Sequence, residues 1–356
     1  YGVSYNSYLI DDEMVALVDT VDICYFEVYL RKIKQVIGER PINYLIINHM
    51  EPDHSGSIRL IKQHYPEIII VGNKQTFGMI EGFYGVTGEQ YLVKEGDFLA
   101  LGHHKLRFYM TPMVHWPETM MTFDETDGVL FSGDGFGCFG TVDGGFLDTR
   151  INVDKYWGEM VRYYSNIVGK YGSPVQKALQ KLGGLPISAI CSTHGPVWTE
   201  NIAKVIGIYD RLSRYDADEG VVIAYGSMYG NTEQMAEAIA EELSAQGVKN
   251  IVMHNVTKSH PSYIIADIFR YKGLIIGSPT YSNQIFPEVE ALLSKILLRE
   301  VKGRYLGYFG SFTWAGAAVK RLAEFAEKSK FELVGDPVEM KQAMKDLTYT
   351  QCENLA

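Results

Sequence analysis

Short apolar runs and amphipathic stretches alternate along the whole chain and predict a mixed α/β fold. In the first half, residues 26–37 have helical spacing and end at Gly38, which predicts a helix. Strands stand on both sides of a few helices, which favours a layered sandwich of sheets flanked by helices. The apolar or alternating runs that predict strands here are 5–10, 14–19, 44–48, 67–71, 90–93, 98–110, 129–131 and 189–192.

The second half alternates strand and helix patterns with a regular spacing. The predicted strands are 221–225, 251–254, 273–277, 305–309 and 331–334, and the predicted helices are 232–245, 263–269, 287–298, 315–328 and 347–355. This order predicts a parallel, doubly wound sheet. Ligands of such sheets bind outside the carboxyl ends of the strands, so the loops at those ends are candidate sites.

Between the two patterns lies an acidic stretch that is poor in apolar residues, YDADEG at 215–220. A chain of 356 residues is longer than one core normally serves. We therefore predict two domains, 1–215 and 221–356, joined by a linker at 216–220.

Composition narrows the class of protein. Hydrophobic residues make up 46% and charged residues 21%, as in a globular protein, and the net charge of −10 argues against a nucleic-acid partner. No apolar run reaches membrane-spanning length and no signal peptide is visible, so we expect a cytoplasmic protein without a membrane partner. The four cysteines are far apart, which disfavours iron–sulfur, rubredoxin and zinc-ribbon modules. Because the chain opens with Tyr inside a strand-like run, we expect its natural start to be missing.

The stretch YLIINHMEPDHSGS, residues 44–57, carries the densest candidate chemistry. His49, Glu51, Asp53 and His54 follow a predicted buried strand, where four such groups are costly to desolvate without a cation. Residues two apart on an extended segment point the same way, so the first three can face one site. One ion would be crowded by four ligands, whereas two ions about 4 Å apart would not. The alternative is a solvated acidic loop that contains histidine.

Three more ligand-type residues stand at later strand ends. His115 lies in TPMVHWPE, Asp134 in SGDGFG and His194 in THGP. Each alone is more often structural, since an aspartate in a glycine-rich turn usually caps that turn. Together with the first motif they make four histidines and three carboxylates, which suits two metals and one bridging carboxylate.

Polar, glycine-punctuated loops follow three predicted strands of the second half. They are GSMYGNT (226–232), SPTYSNQ (278–284) and GSFTWAG (310–316), and the last two carry Tyr281 and Trp314. Small residues at a helix N-terminus let backbone N–H groups converge on a phosphate. The first loop has no lysine and is not G-x-G-x-x-G, so it is not a triphosphate or Rossmann loop, and by itself it also fits a simple turn. A response-regulator-like domain would need acidic residues at the first strand end, where none stands.

The order H-x-E-x-D-H, followed by His, Asp and His at later strand ends, resembles the metallo-β-lactamase fold. Hydrolases of that superfamily usually carry His at the position of Glu51. A carboxylate there favours iron and redox chemistry over a zinc-bound hydroxide. With the flavodoxin-like loops, the whole chain resembles the flavodiiron proteins, or A-type flavoproteins. The implied fold is an N-terminal metallo-β-lactamase-like αββα sandwich and a C-terminal flavodoxin-like doubly wound parallel sheet.

The resemblance implies a diiron centre and FMN. One iron would take His49, Glu51 and His115, the other Asp53, His54 and His194, with Asp134 bridging. Tyr164 and Trp116 are candidate residues of the pocket beside the metals, and aromatic packing is the alternative for both. The residues predicted to contact FMN are Gly226, Ser227, Met228, Tyr229, Gly230, Asn231, Thr232, Pro279, Thr280, Tyr281, Ser282, Asn283, Ser311, Phe312, Thr313, Trp314, Ala315 and Gly316.

The implied activity is reduction of O2 to water, of NO to nitrous oxide, or both, with electrons passed through FMN. The resemblance also implies a head-to-tail homodimer or a dimer of dimers, and a rubredoxin-like protein or a deazaflavin coenzyme as electron donor. The leading alternative is a zinc-dependent hydrolase fused to a flavodoxin-like docking domain. Glu51 argues against it. A third hypothesis, an electron carrier with a vestigial metal domain, is disfavoured because all seven ligand positions are filled.

Overall fold

A computed structural model describes residues 2–356, so residue 1 of the predicted N-terminal domain lies outside it. The chain forms two compact units. One comprises the residues up to Tyr164 together with Tyr171–Asp210, and the other comprises Ser165–Lys170 and Arg211–Ala356. The division therefore lies a few residues before the linker predicted at 216–220, and one short stretch from the first half joins the C-terminal unit.

The first unit contains strands from both sheets of a sandwich and the helices that flank them. Its elements in chain order are β1 (Tyr8–Ile10), β2 (Ala16–Val18), α1 (Phe26–Ile37), β3 (Tyr44–Ile46), α2 (Pro52–Ser55), α3 (Ile58–His64), β4 (Ile69–Gly72), α4 (Lys74–Tyr84), β5 (Gln90–Leu92), β6 (Phe98–Ala100), β7 (Lys105–Met110), β8 (Met120–Asp124), β9 (Val129–Gly133), α5 (Asp154–Tyr163), α6 (Gly172–Leu182), β10 (Ala189–Ser192) and α7 (Ile202–Ser213). Helix α7 runs past Asp210 into the second unit.

Within the described residues, the first unit has two five-stranded sheets, ordered β1-β2-β3-β4-β5 and β10-β9-β8-β7-β6. The first sheet is parallel from β2 to β5, with β1 antiparallel at its edge. In the second sheet β10 is parallel to β9, and the remaining neighbours are antiparallel. Strands β7, β9 and β10 therefore point the same way, so their carboxyl ends share one edge.

Alternating side chains explain the layers of this unit. On β2, Leu17 packs with the helix-side core, whereas Ala16 and Val18 pack between the two sheets. On β3, Leu45 likewise faces the helices and Ile46 faces the second sheet. Successive side chains of a strand point to opposite faces, so one strand serves both cores. The predicted sandwich of sheets flanked by helices is confirmed.

Some elements of this unit were not predicted, among them α4, β8 and α6. Helix α4 contains two glycines, which lower helix propensity, but the Asn73 side chain caps it by accepting from Gln75 N and Thr76 N at 3.0 and 3.1 Å. Strand β8 is buried at every position and lacks the alternation that predicts a strand. Helix α6 was also missed. The predicted run 98–110 contains two strands, β6 and β7, rather than one.

The second unit is a parallel sheet with helices between its strands. Its elements are β11 (Asp218–Tyr225), α8 (Asn231–Ala245), β12 (Ile251–Asn255), α9 (Pro261–Arg270), β13 (Tyr271–Tyr281), β14 (Gln284–Ile285), α10 (Pro287–Arg299), β15 (Tyr305–Phe312), α11 (Ala318–Ser329), β16 (Glu332–Leu333), β17 (Val338–Lys341) and α12 (Asp346–Leu355). The order is β12-β11-β13-β15-β16, with β17 also on β15. These ladders are parallel, so the predicted doubly wound sheet is confirmed.

Some element ends differ from the predictions. Strand β11 begins inside the predicted linker, because Asp218 already pairs with Tyr271 of β13. Helix α11 begins at Ala318 rather than at 315. Strand β13 runs on to Tyr281 and turns back into β14 through Ser282 and Asn283, both with positive φ, as a two-residue hairpin turn requires. Within residues 2–356, no helix combines the length and apolar character that crossing a membrane requires.

Arg304, directly before β15, is almost completely buried at 2% exposure. Its guanidinium donates to the carbonyls of Ile268 and Phe269 in the last turn of α9, both at 2.7 Å. It also donates to the carbonyls of Tyr215 at 2.9 Å and Lys302 at 2.8 Å. Burial lowers the pKa of Arg304 to about 10, so the side chain stays charged near neutral pH. One side chain thus satisfies a set of main-chain acceptors from three segments.

Replacing Arg304 with methionine is expected to destabilise the second unit by about 3 kcal/mol or more, because several buried carbonyls lose their donor. Hydrogen exchange of β13 and β15 peptides across a urea series measures this. Arg270→Met is the matched control, since Arg270 is exposed and its ion pair with Asp218 spans 3.9 Å. Equal protection in the two variants would contradict a structural role for Arg304.

Candidate metal centre and flavin-binding loops

The seven predicted metal ligands of the first unit all lie on segments that directly follow strands. His49 and Glu51 follow β3, and Asp53 and His54 lie on the short helix α2, which begins at Pro52. The other three residues, His115, Asp134 and His194, follow β7, β9 and β10. The sheets pack face to face through a shared apolar core, which holds these strand ends next to one another.

Asp134 lies at the centre of the cluster, and its two carboxylate oxygens face different histidines. Oδ2 lies 3.1 Å from His115 Nε2 and 3.8 Å from His49 Nε2. Oδ1 lies 2.8 Å from His54 Nε2 and 3.7 Å from His194 Nε2. All four imidazoles thus present Nε2 to one buried carboxylate, two on each oxygen.

Each of the other two carboxylates, Glu51 and Asp53, lies next to one of these two pairs of histidines. Glu51 Oε2 lies 3.0 Å from His115 Nε2 and 3.5 Å from His49 Nε2. Asp53 places Oδ1 3.2 Å from His54 Nε2 and Oδ2 3.3 Å from His194 Nε2. The cluster therefore consists of two sets of two histidines and one carboxylate, with Asp134 between them.

Several of these atoms have a close neighbour but no hydrogen bond. In the part of the chain that the structure describes, His49 Nε2, Asp53 Oδ1 and both ring nitrogens of His54 are buried without a hydrogen-bond partner. Buried polar atoms are normally satisfied, and leaving them unsatisfied is costly. Imidazole and carboxylate groups that converge in this way fit two bound cations.

The electrostatics of the cluster also favour positive charge at its centre. Burial lowers the pKa of His49, but the carboxylates of Asp134, Glu118 and Glu51 outweigh burial and raise it to about 10. Burial raises the pKa of Asp134, but His54 and His49 outweigh it and hold that pKa well below its usual range. The carboxylates therefore create a field that a metal cation would neutralise.

A second layer of contacts orients the ligands. His194 Nδ1 is 2.7 Å from the carbonyl of Ser4, and Thr193 Oγ1 donates to Asp134 Oδ1 at 2.7 Å. Asp19 accepts from the main-chain N–H groups of Asn48 at 2.8 Å and His49 at 3.3 Å. Groups of this kind usually hold the tautomer and direction of metal ligands.

Glu118 belongs to this layer and was not predicted. It lies in TPMVHWPE, three residues after His115, and is completely buried. Its Oε1 is 2.8 Å from His49 Nδ1. A carboxyl group beside a proline and a tryptophan, just after a candidate histidine, is the sequence feature that could have identified it.

The aromatic candidates occupy different positions. The Trp116 ring packs edge-on to His49 with centroids 5.3 Å apart. Of the two adjacent tyrosines, Tyr163 contacts the cluster, with its ring centroid 5.5 Å from that of His194. Tyr164 packs against Tyr209 at 5.1 Å. The sequence indicates Tyr164 as the pocket candidate, and a catalytic role for that residue stays a prediction.

Two histidines outside the predicted cluster also have carboxylate partners. His104 Nδ1 lies 2.8 Å from Asp124, and with Asp127 these form a second group of metal-capable atoms. His254 Nε2 lies 2.8 Å from Asp267. The first pair joins the turn between β6 and β7 to the end of β8, and the second joins β12 to α9, so both have a structural explanation.

In the second unit, the three predicted loops lie at the same edge of the sheet, since β11, β13 and β15 are parallel. Thr232 Oγ1 and Ser311 Oγ are 2.9 Å apart, which joins the first loop to the third. Thr280 Oγ1 accepts from Ala317 N at 3.0 Å and Ala318 N at 3.2 Å, which joins the second loop to the start of α11, directly after the third loop. The loops thus form one hydrogen-bonded group.

The first loop has the chemistry of a phosphate site. Gly230 stands before α8 with φ +90°, a conformation that favours glycine, and the helix begins at Asn231. Hydroxyl and N–H donors of residues 226–232 surround this fifteen-residue helix's N-terminus, and the loop contains no carboxylate. The next residue, Glu233, accepts a hydrogen bond from Tyr225 at 2.6 Å. These donors fit the phosphate monoester of FMN.

Exposed aromatic rings surround the same edge. Tyr229 is 88% exposed, Trp314 82% and Tyr281 45%. Large aromatic side chains are rarely so exposed without a partner, and planar rings stack on them readily. The observed surface therefore fits a planar ring system next to the phosphate loop. Ser311 and Phe312, predicted as loop residues, lie at the end of β15.

Comparison with known proteins agrees with this architecture. Residues 3–195 match the family described as "ODP family beta lactamase", and residues 223–354 match the flavodoxin family. The anaerobic nitric oxide reductase flavorubredoxin of Vibrio vulnificus (strain YJ016) is 33% identical over 93% of this chain and 68% of its own length. The Escherichia coli O1:K1 / APEC protein of the same name is 32% identical over 93% and 70%.

Solved structures give the same result. Rubredoxin oxygen:oxidoreductase from Desulfovibrio gigas superposes with a TM-score of 0.96 and 31% identity, covering 99% of this chain and 89% of that one. The flavodiiron protein of Giardia intestinalis gives a TM-score of 0.95 and 28% identity, covering 99% and 88%. The chain belongs to the flavodiiron protein family, a β-lactamase-like domain followed by a flavodoxin domain. Membership implies a diiron centre and FMN as its cofactors.

Asp134→Asn is expected to lower the metal content of reconstituted protein from two ions per chain to fewer than one, because both ligand sets lose their shared carboxylate. Elemental analysis after anaerobic loading with Fe²⁺ measures this, and near-ultraviolet circular dichroism checks folding. Asp124→Asn is the matched control, since it removes another buried, histidine-bonded carboxylate of this unit. Two tightly held ions in the Asp134 variant would refute the central role of that residue.

Proposed function

We propose that this flavodiiron oxidoreductase reduces nitric oxide to nitrous oxide, O2 to water, or both, at two irons supplied with electrons through FMN. His49, Glu51 and His115 would hold one iron, and Asp53, His54 and His194 the other. Asp134 would bridge them. The observation that carries this proposal is the division of the cluster by the two oxygens of Asp134 into matching sets of three ligands.

The identity of the metal rests on Glu51. This carboxylate lies 3.0 Å from His115 Nε2, where a zinc hydrolase of similar fold would place an imidazole. Carboxylate-rich sites suit iron better than zinc. The named relatives are a nitric oxide reductase and an oxygen:oxidoreductase, so the zinc-hydrolase alternative is not favoured.

When bound, the two irons supply reversible one-electron chemistry and open coordination positions, and FMN supplies the electrons. The protein's own residues exclude water from most of the cluster, since the side chains of His49, His54 and Asp134 are at most 1% exposed. Glu51 and Asp53 are 38% and 27% exposed, so a small oxidant would enter on their side.

Both reductions consume protons, and the hydroxyl of Tyr163 carries a proton close to the cluster. Burial, together with the Asp134 carboxylate, raises the pKa of the Tyr163 hydroxyl well above its usual value. The hydroxyl therefore stays protonated near neutral pH beside the cluster. Tyr163 would donate a hydrogen bond toward bound oxidant, and Trp116 would hold the His49 ring in place.

The FMN phosphate would bind at the N-terminus of α8, where Ser227 and Thr232 offer hydroxyls. Tyr281 and Trp314 would contact the isoalloxazine ring. The residues proposed to form the whole site are Gly226, Ser227, Met228, Tyr229, Gly230, Asn231, Thr232, Pro279, Thr280, Tyr281, Ser282, Asn283, Ser311, Phe312, Thr313, Trp314, Ala315 and Gly316.

The electron donor and the assembly are part of the proposal. A relative in structure is named rubredoxin oxygen:oxidoreductase, which supports a rubredoxin-like protein as first candidate donor and leaves a deazaflavin coenzyme as second. We further propose a head-to-tail homodimer, in which the flavin of one subunit serves the irons of the other, or a dimer of such dimers. Family membership supports this arrangement.

Glu51→Ala is expected to slow oxidant reduction by about 100-fold or more, because one iron loses a direct ligand, while reduction of FMN by the donor keeps its rate. Anaerobic stopped-flow against O2 and NO separately measures both steps. Glu27→Ala, an exposed change on α1, is the control and should match the wild type. Loss of both steps in the Glu51 variant would show that the two sites do not have separate roles.

Mixed dimers test which subunits exchange electrons. Ser227→Asp should prevent FMN binding by placing a carboxylate against the phosphate, while its Oδ can still accept from Gly230 N. In a head-to-tail dimer, pairing this variant with Glu51→Ala is expected to restore about half of the wild-type rate, since one of two equivalent flavin–metal pairs is complete. Differently tagged chains allow the mixed dimer to be purified. Absence of any recovery would indicate transfer within one subunit.

A further inference from the structure

Glu118 is a fully buried carboxylate behind one of the candidate metal ligands. It lies on the turn between β7 and β8, which also carries His115. Its Oε1 lies 2.8 Å from His49 Nδ1 and accepts from Met50 N at 2.9 Å. A single carboxylate oxygen therefore joins the two turns that supply His49, Glu51 and His115.

This contact determines which nitrogen of His49 is available to a metal. A carboxylate at Nδ1 keeps the ring proton on that nitrogen. The lone pair of Nε2 then faces Asp134 and Glu51. A negative charge behind an imidazole also increases its basicity as a ligand, since the ring can share its Nδ1 proton with the carboxylate.

The second ligand set has no equivalent partner in the described residues. The Nδ1 atom of His194 faces a neutral carbonyl, that of Ser4, at 2.7 Å. The Nδ1 atom of His54 is buried without a hydrogen-bond partner. Asp19 is also buried, and its carboxylate lies near both His54 and His49, but it accepts hydrogen bonds from the main-chain N–H groups of Asn48 and His49 and not from either ring. The hydrogen-bonded carboxylate thus stands behind one of the two sets.

We propose that Glu118 is a positioning residue that makes the metal position of His49, Glu51 and His115 more electron-rich than the position of Asp53, His54 and His194. This inference rests on the proposed function, since it assumes a metal at each position. As a consequence, the two irons would not be equivalent. The iron beside Glu118 holds the higher oxidation state more readily, so the two irons have different reduction potentials.

The test compares wild type, Glu118→Gln and Asp19→Asn, all prepared without metal and titrated anaerobically with Fe²⁺. Glutamine keeps the shape of Glu118 but removes its charge. We expect one of the two metal positions in Glu118→Gln to bind about 10- to 100-fold more weakly, with the other unchanged. Asp19→Asn removes a buried carboxylate near His49 and His54 that is hydrogen-bonded to neither ring, and is expected to leave both affinities unchanged.

Redox titration followed by electron paramagnetic resonance provides a readout that a general loss of packing would not produce. One iron couple of Glu118→Gln should move to a more positive potential, while the other couple and the FMN couple stay in place. Glu118→Asp keeps the charge at a greater distance from Nδ1 and should shift the same couple by a smaller amount. If Glu118→Gln does not fold, the potentials of Glu118→Asp test the inference.

Unchanged affinities and potentials in both Glu118 variants would overturn the inference. So would equal shifts at both metal positions, or the same shift in Asp19→Asn. Failure of the proposed function would give a different result from failure of this inference, because the wild type itself would then not bind two irons. A wild type with two irons of distinguishable potential, whose difference shrinks in Glu118→Gln, supports the assignment.

Discussion

The first unit depends on one interaction, the buried carboxylate of Asp134 surrounded by four imidazoles. A group with so little contact with water is costly to bury as an anion unless positive charge stands close to it. Each of its oxygens faces two ring nitrogens, so the site has two equivalent centres of attraction for a cation. The turns after β3, β7, β9 and β10 all reach this point, because the two sheets pack face to face through a shared apolar core that holds those strand ends together.

The surroundings of the cluster are less symmetrical than its centre. On one side, Glu118 adds a second buried carboxylate and joins two ligand-bearing turns through one oxygen atom. On the other side, His194 has only the carbonyl of Ser4. A pair of metals in this frame would share a ligand but differ in electron density. A reductase that delivers electrons one at a time to a diatomic oxidant can use such a difference to order the steps.

The candidate site of the second unit has to bind a phosphate rather than metal ions, and it uses neutral donors rather than carboxylates and imidazoles. Its loops offer hydroxyls, N–H groups and aromatic faces, with no lysine in the phosphate loop. A helix N-terminus and converging N–H groups can hold a phosphate without a fixed cation. The parallel order of β11, β13 and β15 brings the three loops to one edge, and Thr232, Ser311 and Thr280 join them. Both units therefore place their candidate sites at the carboxyl ends of strands.

The amino-acid sequence was enough to predict the two fold classes and the seven residues of the cluster, because apolar periodicity and the chemistry of His, Asp and Glu are visible along the chain. It also located the three loops of the second unit. Other facts are visible only in the folded chain: Asp134 lies between two sets of ligands, Glu118 hydrogen-bonds to His49, and Tyr163 rather than Tyr164 contacts His194. These facts depend on which side chains meet across sheets, and residues distant in sequence carry no local pattern for such contacts. The elements that were not predicted have the same explanation. Strand β8 is buried on both faces and so shows no alternation, and α4 is stabilised by the Asn73 cap although it contains two glycines.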